Sequence, residues 1–249
     1  MNVLVIGNQK GGTAKTTTAA ALAVLLSRRG QNVHLIDMDP QASLTAAFGV
    51  EDGEGLLYEA LKEKAVLPIV RLTDTLTLTP SSIDLARGEN EFIGVTSREK
   101  ILKKSLERTS GAGEGVTVII DSPPSLGVLA LNCLVAARAL AVVVQPGGFE
   151  LRALAYLEQV VQTIKEDVNP ELTVAGAIMT NYQPRRSIND QVRAEMQRHY
   201  TDLGQVRSDS KMLYATTEGS ILQLRISNAM DDYEQVLNKL IEVCPWLKT

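Results

Sequence analysis

The sequence predicts one α/β domain over residues 1–249, with a mostly parallel, twisted sheet that helices cover on both faces. Short apolar runs rich in Val, Ile and Leu alternate with longer segments of helical periodicity, a pattern typical of βαβ units. Five of the six predicted strands are almost entirely apolar, as expected for parallel strands that are buried on both faces.

The predicted elements follow one another without a repeat or a low-complexity tract. Strands are predicted at 3–6, 33–36, 76–78, 116–120, 139–144 and 172–179. Helices are predicted at 16–29, 55–62, 82–91, 97–108, 130–137, 150–167, 187–200 and 231–243.

Composition narrows the class of protein. The 249 residues are 45% hydrophobic and 22% charged, as in ordinary globular proteins, and no apolar run is long enough to cross a bilayer. The first residues lack the basic start of a secretory signal, so we expect a cytoplasmic protein. Cys133 and Cys244 lie far apart, which predicts neither a disulfide nor a metal or iron–sulfur centre.

The strongest chemical signal follows the first strand and precedes the first helix. It is the stretch Lys10, Gly11, Gly12, Thr13, Ala14, Lys15, Thr16, Thr17. Backbone N–H groups of such a loop, together with the N-terminus of the next helix, can surround a polyphosphate. We expect Lys15 to neutralise the β- and γ-phosphates and Thr16 to place its hydroxyl on Mg²⁺. Ala14 stands where the general P-loop pattern has glycine.

Carboxylates follow two further predicted strands. Asp37 and Asp39 come after the second strand, and Asp121 ends the strand predicted at 116–120. Because ligands of open α/β sheets bind at the carboxyl ends of the strands, we expect these side chains in the same crevice. Asp121 is predicted to hold Mg²⁺ through a water molecule, since Mg²⁺ retains most of its hydration shell.

The stretch from Lys10 to Thr17 resembles the deviant Walker A motif of the ParA/MinD group of P-loop ATPases. The resemblance implies ATP and Mg²⁺ as cofactors and a homodimer that forms on ATP binding, with Lys10 reaching the partner's phosphates. It also implies that Lys10, Lys15 and Asp39 serve catalysis, with Asp39 orienting water. Asp37 would support the metal together with Thr16 and Asp121.

The later part of the chain resembles the same group less strongly. The resemblance places the adenine beside Thr180 or Asn181, although packing alone would also explain both residues. In the ParA branch, basic residues of the C-terminal part bind double-stranded DNA without sequence preference. The corresponding candidates are Arg185, Arg186, Arg193, Arg207 and Lys211. An ordinary solvated surface is the alternative, because residues 181–225 carry a local excess of only +2 in a chain of net charge −4.

Two functions are compatible with this resemblance. The first is a ParA-like ATPase of chromosome or plasmid segregation, associated with the nucleoid and stimulated by a ParB-like partner. The alternative is a MinD-like or orphan ParA-like positioning ATPase that acts on a membrane or a protein cargo. Residues 231–249 have helical apolar spacing but no Lys/Arg-rich polar face, so we expect no membrane binding.

Overall fold

The structure is a computed structural model that describes residues 1–51, 55–109, 115–146, 150–183 and 187–248. Eight strands form one sheet in the order β3-β4-β2-β5-β1-β6-β7-β8. They are β1 Asn2–Gly7, β2 Asn32–Asp37, β3 Val70–Arg71, β4 Leu76–Thr79, β5 Val116–Asp121, β6 Ala139–Val144, β7 Thr173–Tyr182 and β8 Asp202–Arg207. All neighbouring strands are parallel except β3 and β4, which are antiparallel.

The helices alternate with the strands along the chain. They are α1 Lys15–Arg28, α2 Ser43–Ala47, α3 Leu56–Glu63, α4 Gly88–Glu91, α5 Ile101–Arg108, α6 Val128–Ala136, α7 Glu150–Asp167, α8 Ser187–His199, α9 Ser210–Thr217 and α10 Asn228–Val243. Side chains of α1, α9 and α10 pack into one apolar cluster, and side chains of α3, α5, α6 and α7 pack into another. Among the described residues, no helix is both long and apolar enough to cross a membrane.

The sheet separates the two apolar clusters, and β1 shows how. Val3 and Val5 belong to one cluster, whereas Leu4 and Ile6 belong to the other. Successive side chains of a strand point to opposite faces, so a strand covered on both sides must be apolar at every position. The predicted fold class is therefore confirmed: a mostly parallel sheet with helices on both faces.

The differences from the predicted elements concern short or polar segments. Strands β3 and β8 and helices α2 and α9 were not predicted: β3 has two residues, α2 has five, and β8 has polar residues at several positions. The helix predicted at 82–91 is instead a 3₁₀ helix, Ile83–Arg87, followed by α4. The helix predicted at 97–108 begins with a 3₁₀ turn, Arg98–Lys100, before α5.

A buried histidine joins β2 to β4 inside the sheet. His34 is fully buried, and its two ring nitrogens lie 2.8 Å from the Thr77 hydroxyl and 3.0 Å from the Thr79 hydroxyl. Burial lowers the pKa of His34 to about 4, because the charged ring is poorly solvated there. The unfolded chain therefore binds a proton on His34 at a higher pH than the folded chain does.

We predict that this difference in pKa makes stability pH-dependent. The contribution is fully present above pH 6.5 and is lost as the pH falls toward 4, since protons then favour the unfolded state. The loss should be about 3 kcal/mol of unfolding free energy between pH 7 and pH 4. Urea denaturation of wild type and of His34→Gln, which keeps polar contacts without titrating, measures it. Parallel pH profiles of the two proteins would contradict the prediction.

Candidate active site

The loop between β1 and α1 lies at the carboxyl edge of the sheet. Strand β1 is flanked by β5 and β6, so the loop emerges between the ends of these two strands. The Asn8 side chain donates to the carbonyl of Val143 in β6, and its Oδ1 accepts the backbone N–H of Lys10 at 3.3 Å. The Thr13 hydroxyl donates to the Lys10 carbonyl at 3.2 Å. These bonds hold the loop curled over the end of β1.

The two lysines of the loop differ in exposure. Lys15 begins α1 and is only 7% exposed, with its Nζ donating to the Lys10 carbonyl at 3.0 Å. Burial lowers the pKa of Lys15, while the carboxylates of Asp121 and Asp39 act in the opposite direction. Lys10 itself is exposed. One lysine thus lies inside the loop and the other at its surface.

Ala14 adopts the backbone conformation that the P-loop pattern assigns to glycine. Its φ of 62° and ψ of 32° are left-handed, and it precedes the first helical residue of α1. The Ala14 carbonyl accepts the Thr18 N–H at 2.9 Å, so the strained residue also starts the helix. The loop therefore accommodates the methyl group, although a left-handed alanine costs about 1–2 kcal/mol relative to glycine.

Thr16 and Asp121 meet beneath the loop. The Thr16 hydroxyl donates to Asp121 Oδ2 at 2.6 Å, and Asp121 is fully buried at the end of β5. Its Oδ1 is buried without a hydrogen-bond partner among the described residues. Burial raises the pKa of Asp121 well above its usual range, and the neighbouring Asp37 adds to this effect.

These two oxygen groups fit a magnesium ion. Mg²⁺ prefers hard oxygen ligands and binds few protein groups directly, and an unpartnered buried carboxylate oxygen needs a cation or a donor nearby. Thr16 and Asp121 are the residues that would hold the ion. When bound, Mg²⁺ would neutralise phosphate charge and orient the phosphate chain.

Asp37 lies beside Asp121 but has partners of its own. Strand pairing places Asp37 directly opposite Asp121. Its Oδ2 accepts both the N–H and the hydroxyl of Thr45, each at 2.8 Å, and its Oδ1 accepts the Asp39 N–H at 3.2 Å. Burial raises the pKa of Asp37 to about 6, against the effect of these bonds. Its support of the metal stays a prediction, and Thr45 is a residue that the sequence did not reveal.

Asp39 is more accessible than Asp37. It is partly exposed, and its Oδ1 accepts the Gln41 N–H at 3.0 Å, which fixes the turn after β2. It follows Asp37, which pairs with Asp121, so it lies at the same carboxyl edge of the sheet as the phosphate loop. A partly solvated carboxylate in this position can accept a hydrogen bond from water, as the prediction for Asp39 requires.

The residues predicted to contact adenine lie next to the loop. Thr180 is almost fully buried, and its hydroxyl donates to the Thr13 carbonyl at 2.8 Å, so its side chain supports the loop. Asn181 has a left-handed φ of 51° and lines a cavity of about 70 Å³. Ala14 and Thr17 lie on the same cavity. An adenine contact stays a prediction for both Thr180 and Asn181.

The structure separates the predicted DNA-binding residues into three groups. Arg193 donates from Nε and Nη2 to Asp202, at 3.0 and 2.8 Å, and Arg207 forms a two-pronged ion pair with Asp232, both bonds at 2.8 Å. Their charges are already compensated within the chain. Lys211 is exposed on α9. Arg185 and Arg186 lie outside the described residues.

The loop, the buried lysine and the Thr16–Asp121 pair define a P-loop nucleotide-binding protein. A family described as an AAA domain matches residues 1–174. The sporulation initiation inhibitor protein Soj of Bacillus subtilis is 35% identical over 80% of this chain and 80% of its own length. The chromosome partitioning protein ParA of Caulobacter vibrioides is 35% identical over 81% of this chain and 78% of its own. The chain therefore belongs to the AAA-domain family and is a ParA/Soj-like P-loop ATPase, as its motifs predicted.

Two solved structures resemble this chain. Cobyrinic acid a,c-diamide synthase from Mycobacterium smegmatis, with a bound ATP analogue and magnesium, has a TM-score of 0.74 at 35% identity and 80% coverage of both chains. A plasmid partition protein from Borrelia burgdorferi bound to AMPPNP has a TM-score of 0.85 and covers 97% of this chain and 98% of its own. At 24% identity, this second likeness shows the fold alone.

We predict that Ala14→Gly stabilises the protein by about 1 kcal/mol, because glycine adopts the left-handed conformation without strain but gains entropy in the unfolded state. ATP affinity should be unchanged. Thermal unfolding measures the effect. Ala21→Gly, in the interior of α1, is the control and should destabilise by at least about 1 kcal/mol. A less stable Ala14→Gly would show that the methyl group is needed for packing.

Lys15→Ala should abolish ATP binding, since it removes the buried cation of the loop. Calorimetric titration with ATP measures the affinity. Lys239→Ala, which removes an exposed lysine from α10, is the matched control and should bind as the wild type does. Wild-type affinity in Lys15→Ala would exclude the loop as the phosphate site.

Proposed function

We propose that this chain is a partition ATPase of chromosome or plasmid segregation. ATP and Mg²⁺ bring two copies together face to face, and the homodimer binds double-stranded DNA without sequence preference. A ParB-like partner stimulates slow ATP hydrolysis and thereby releases the DNA. The protein acts as one domain over residues 1–249, in the cytoplasm and on the nucleoid. The Soj and ParA relatives, which bear the names of sporulation and partitioning proteins, support this proposal.

One observation carries the proposal: the loop has a buried lysine and an exposed one. Lys15 is enclosed by its own loop, so it serves the nucleotide of its own chain. Lys10 presents its side chain at the surface of the same loop, five residues earlier. A long cation at that place can reach phosphates bound by a second copy, and ATP binding then favours dimerisation by mass action.

Hydrolysis in this proposal depends on Asp39. Its carboxylate is partly solvated and lies at the same edge of the sheet as the loop, so it can orient water toward a phosphate that the loop holds. Asp37 and Thr45 fix the turn in which Asp39 lies. Low basal turnover follows from a site that lacks part of its catalytic geometry until the partner binds.

We predict that Asp39→Ala binds ATP but does not turn it over, because the water loses its acceptor while the loop stays intact. The variant should accumulate as an ATP-bound dimer, measured by size-exclusion chromatography and by phosphate release. Glu51→Ala, a carboxylate that follows α2, is the control and should hydrolyse ATP at the wild-type rate. Rapid phosphate release by Asp39→Ala would show that a group other than Asp39 orients the attacking water.

DNA binding in this proposal rests on Lys211 and Arg185, and not on the two arginines that the structure pairs with carboxylates. Arg193 and Arg207 are held by carboxylates, so they contribute little to phosphate binding. Lys211 is exposed near the β8 edge of the sheet, and Arg185 precedes α8. A dimer doubles the number of such cations, and nonspecific affinity needs only several phosphate contacts.

We predict that the wild type co-sediments with DNA when ATP is present and much less with ADP or without nucleotide. Arg185→Glu with Lys211→Glu should abolish co-sedimentation but keep ATP binding. In wild type, the affinity should fall steeply with salt, with a slope of about −0.9 per phosphate contact. Arg71→Glu in the opposite edge strand β3, combined with Lys62→Glu at an exposed position of α3, changes the net charge equally and should leave DNA binding intact. DNA retention by the first double variant would place the DNA surface elsewhere.

A further inference from the structure

Helix α2 is hydrogen-bonded through Thr45 to the acidic end of β2. Thr45 is almost fully buried and donates its N–H and its hydroxyl to Asp37 Oδ2, both at 2.8 Å. The same hydroxyl accepts the Ser81 N–H at 2.9 Å, which ties α2 to the segment after β4. A carboxylate that is bonded twice to one residue fixes the position of that residue. A displacement of Asp37 would therefore displace α2 as well.

The other end of α2 contacts the end of α9 through two glycines. Gly49 and Gly219 both have left-handed φ values, 67° and 64°. A Cβ on Gly49 would lie 3.0 Å from the Gly219 carbonyl oxygen. A Cβ on Gly219 would lie 2.7 Å from Gly49 Cα and 2.9 Å from the Ala46 carbonyl oxygen. The two backbones thus touch without a side chain between them.

This contact is stiff because no side chain that could change its rotamer lies between the two backbones. Where side chains separate two helices, a small displacement of one helix is absorbed by changes of χ angles. Two glycines in direct backbone contact have no such freedom, and protein interiors are packed densely enough to transmit strain. A movement of α2 toward α9 must displace α9.

Helix α9, which follows this contact in the proposed order of movement, has exposed side chains. Asp209 caps its N-terminus by accepting the N–H groups of Lys211 and Met212. Met212 packs in the core, whereas Leu213 and Tyr214 are 68% and 66% exposed and Lys211 is exposed beside them. A small displacement of α9 would change how these side chains meet a partner.

We propose that α2 is a relay that transmits the nucleotide state of the site to α9 through Thr45 and the Gly49–Gly219 contact. Asp37 faces Asp121 across the β2–β5 ladder, so ligand binding at Asp121 acts on the first member of the relay. The inference rests on the proposed function in one respect: Lys211 would be the DNA contact that the relay adjusts. It assigns a positioning role to Thr45, Gly49 and Gly219, all of which lie outside the phosphate loop.

Hydrogen exchange of the α9 amides, with and without ATP and Mg²⁺, tests the relay directly. Wild type should show ATP-dependent protection of α9. In Gly49→Ala, this ATP-dependent change should fall at least about fivefold, the lower range of measured couplings between sites. Gly30→Ala is the matched control, because Gly30 has a φ of 82° but no atom within 4 Å of the position of an added Cβ. It carries the same backbone strain without the contact and should respond as wild type does.

Thr45→Val is the second variant, since it removes the hydroxyl bonds to Asp37 and to the Ser81 N–H and keeps the backbone N–H bond to Asp37. It should weaken the α9 response, and it tests the relay if Gly49→Ala does not fold. The relay would be overturned if a folded Gly49→Ala or Thr45→Val showed the same ATP-dependent protection of α9 as wild type. It would also be overturned if ATP did not change the protection of α9 in wild type.

DNA co-sedimentation of the same proteins separates the two proposals. If α9 responds to ATP in wild type and in Gly30→Ala but not in the relay variants, the relay is supported whether or not DNA is bound. If wild type also fails to bind DNA with ATP, only the proposed DNA function is contradicted.

Discussion

The hydrogen bond from the Thr16 hydroxyl to Asp121 joins two parts of the chain that are 105 residues apart, and the candidate site is built around it. It exists because β1 and β5 are parallel neighbours, with Ile6 paired to Asp121 in the ladder. The carboxyl ends of parallel strands lie at one edge of a sheet, so the loop after β1 and the carboxylate at the end of β5 must meet there. The chain order of the strands thus determines which side chains form the site.

The site buries more charge than a stable core would keep. Asp37 and Asp121 are fully buried on neighbouring strands, and burial raises the pKa of both carboxyl groups. Thr45 and the Asp39 backbone satisfy Asp37, whereas one oxygen of Asp121 has no partner among the described residues. Lys15 is buried beside them with a lowered pKa. Clusters of this kind are typical of ligand sites, where the ligand supplies the missing counter-charge.

Much of this could be predicted from the sequence, because the central strands are apolar at nearly every position and the phosphate loop is contiguous. Strand β6, for example, is six buried residues in a row, and Lys15, Thr16 and Asp121 each lie in a short motif. The edge strand β8 was not predicted, because its polar residues interrupt the apolar run by which the other strands are predicted. Pairing of Arg193 with Asp202 and of Arg207 with Asp232 was also missed, because a residue's type does not reveal which partner the fold brings to it.

Thr45, Gly49 and Gly219 show a second limit of sequence reasoning. Helix α2 has only five residues, too few for a periodic signal, and a glycine in a loop is ordinarily read as a turn. The close approach of Gly49 to Gly219 depends on elements 170 residues apart in sequence, so only the folded chain shows it. The proposed relay therefore depends on contacts that no local pattern encodes.

The most direct test of the Thr16–Asp121 site is the effect of Mg²⁺ on ATP affinity in wild type and in Asp121→Asn, measured by calorimetry with Mg²⁺ and with a chelator. The asparagine can still accept the Thr16 hydroxyl, so the fold should persist while the negative charge is lost. We expect Mg²⁺ to strengthen ATP binding to wild type and to have little effect on Asp121→Asn. An equal gain from Mg²⁺ in both proteins would contradict the assignment of Asp121 to the metal and with it the central role of the Thr16–Asp121 pair.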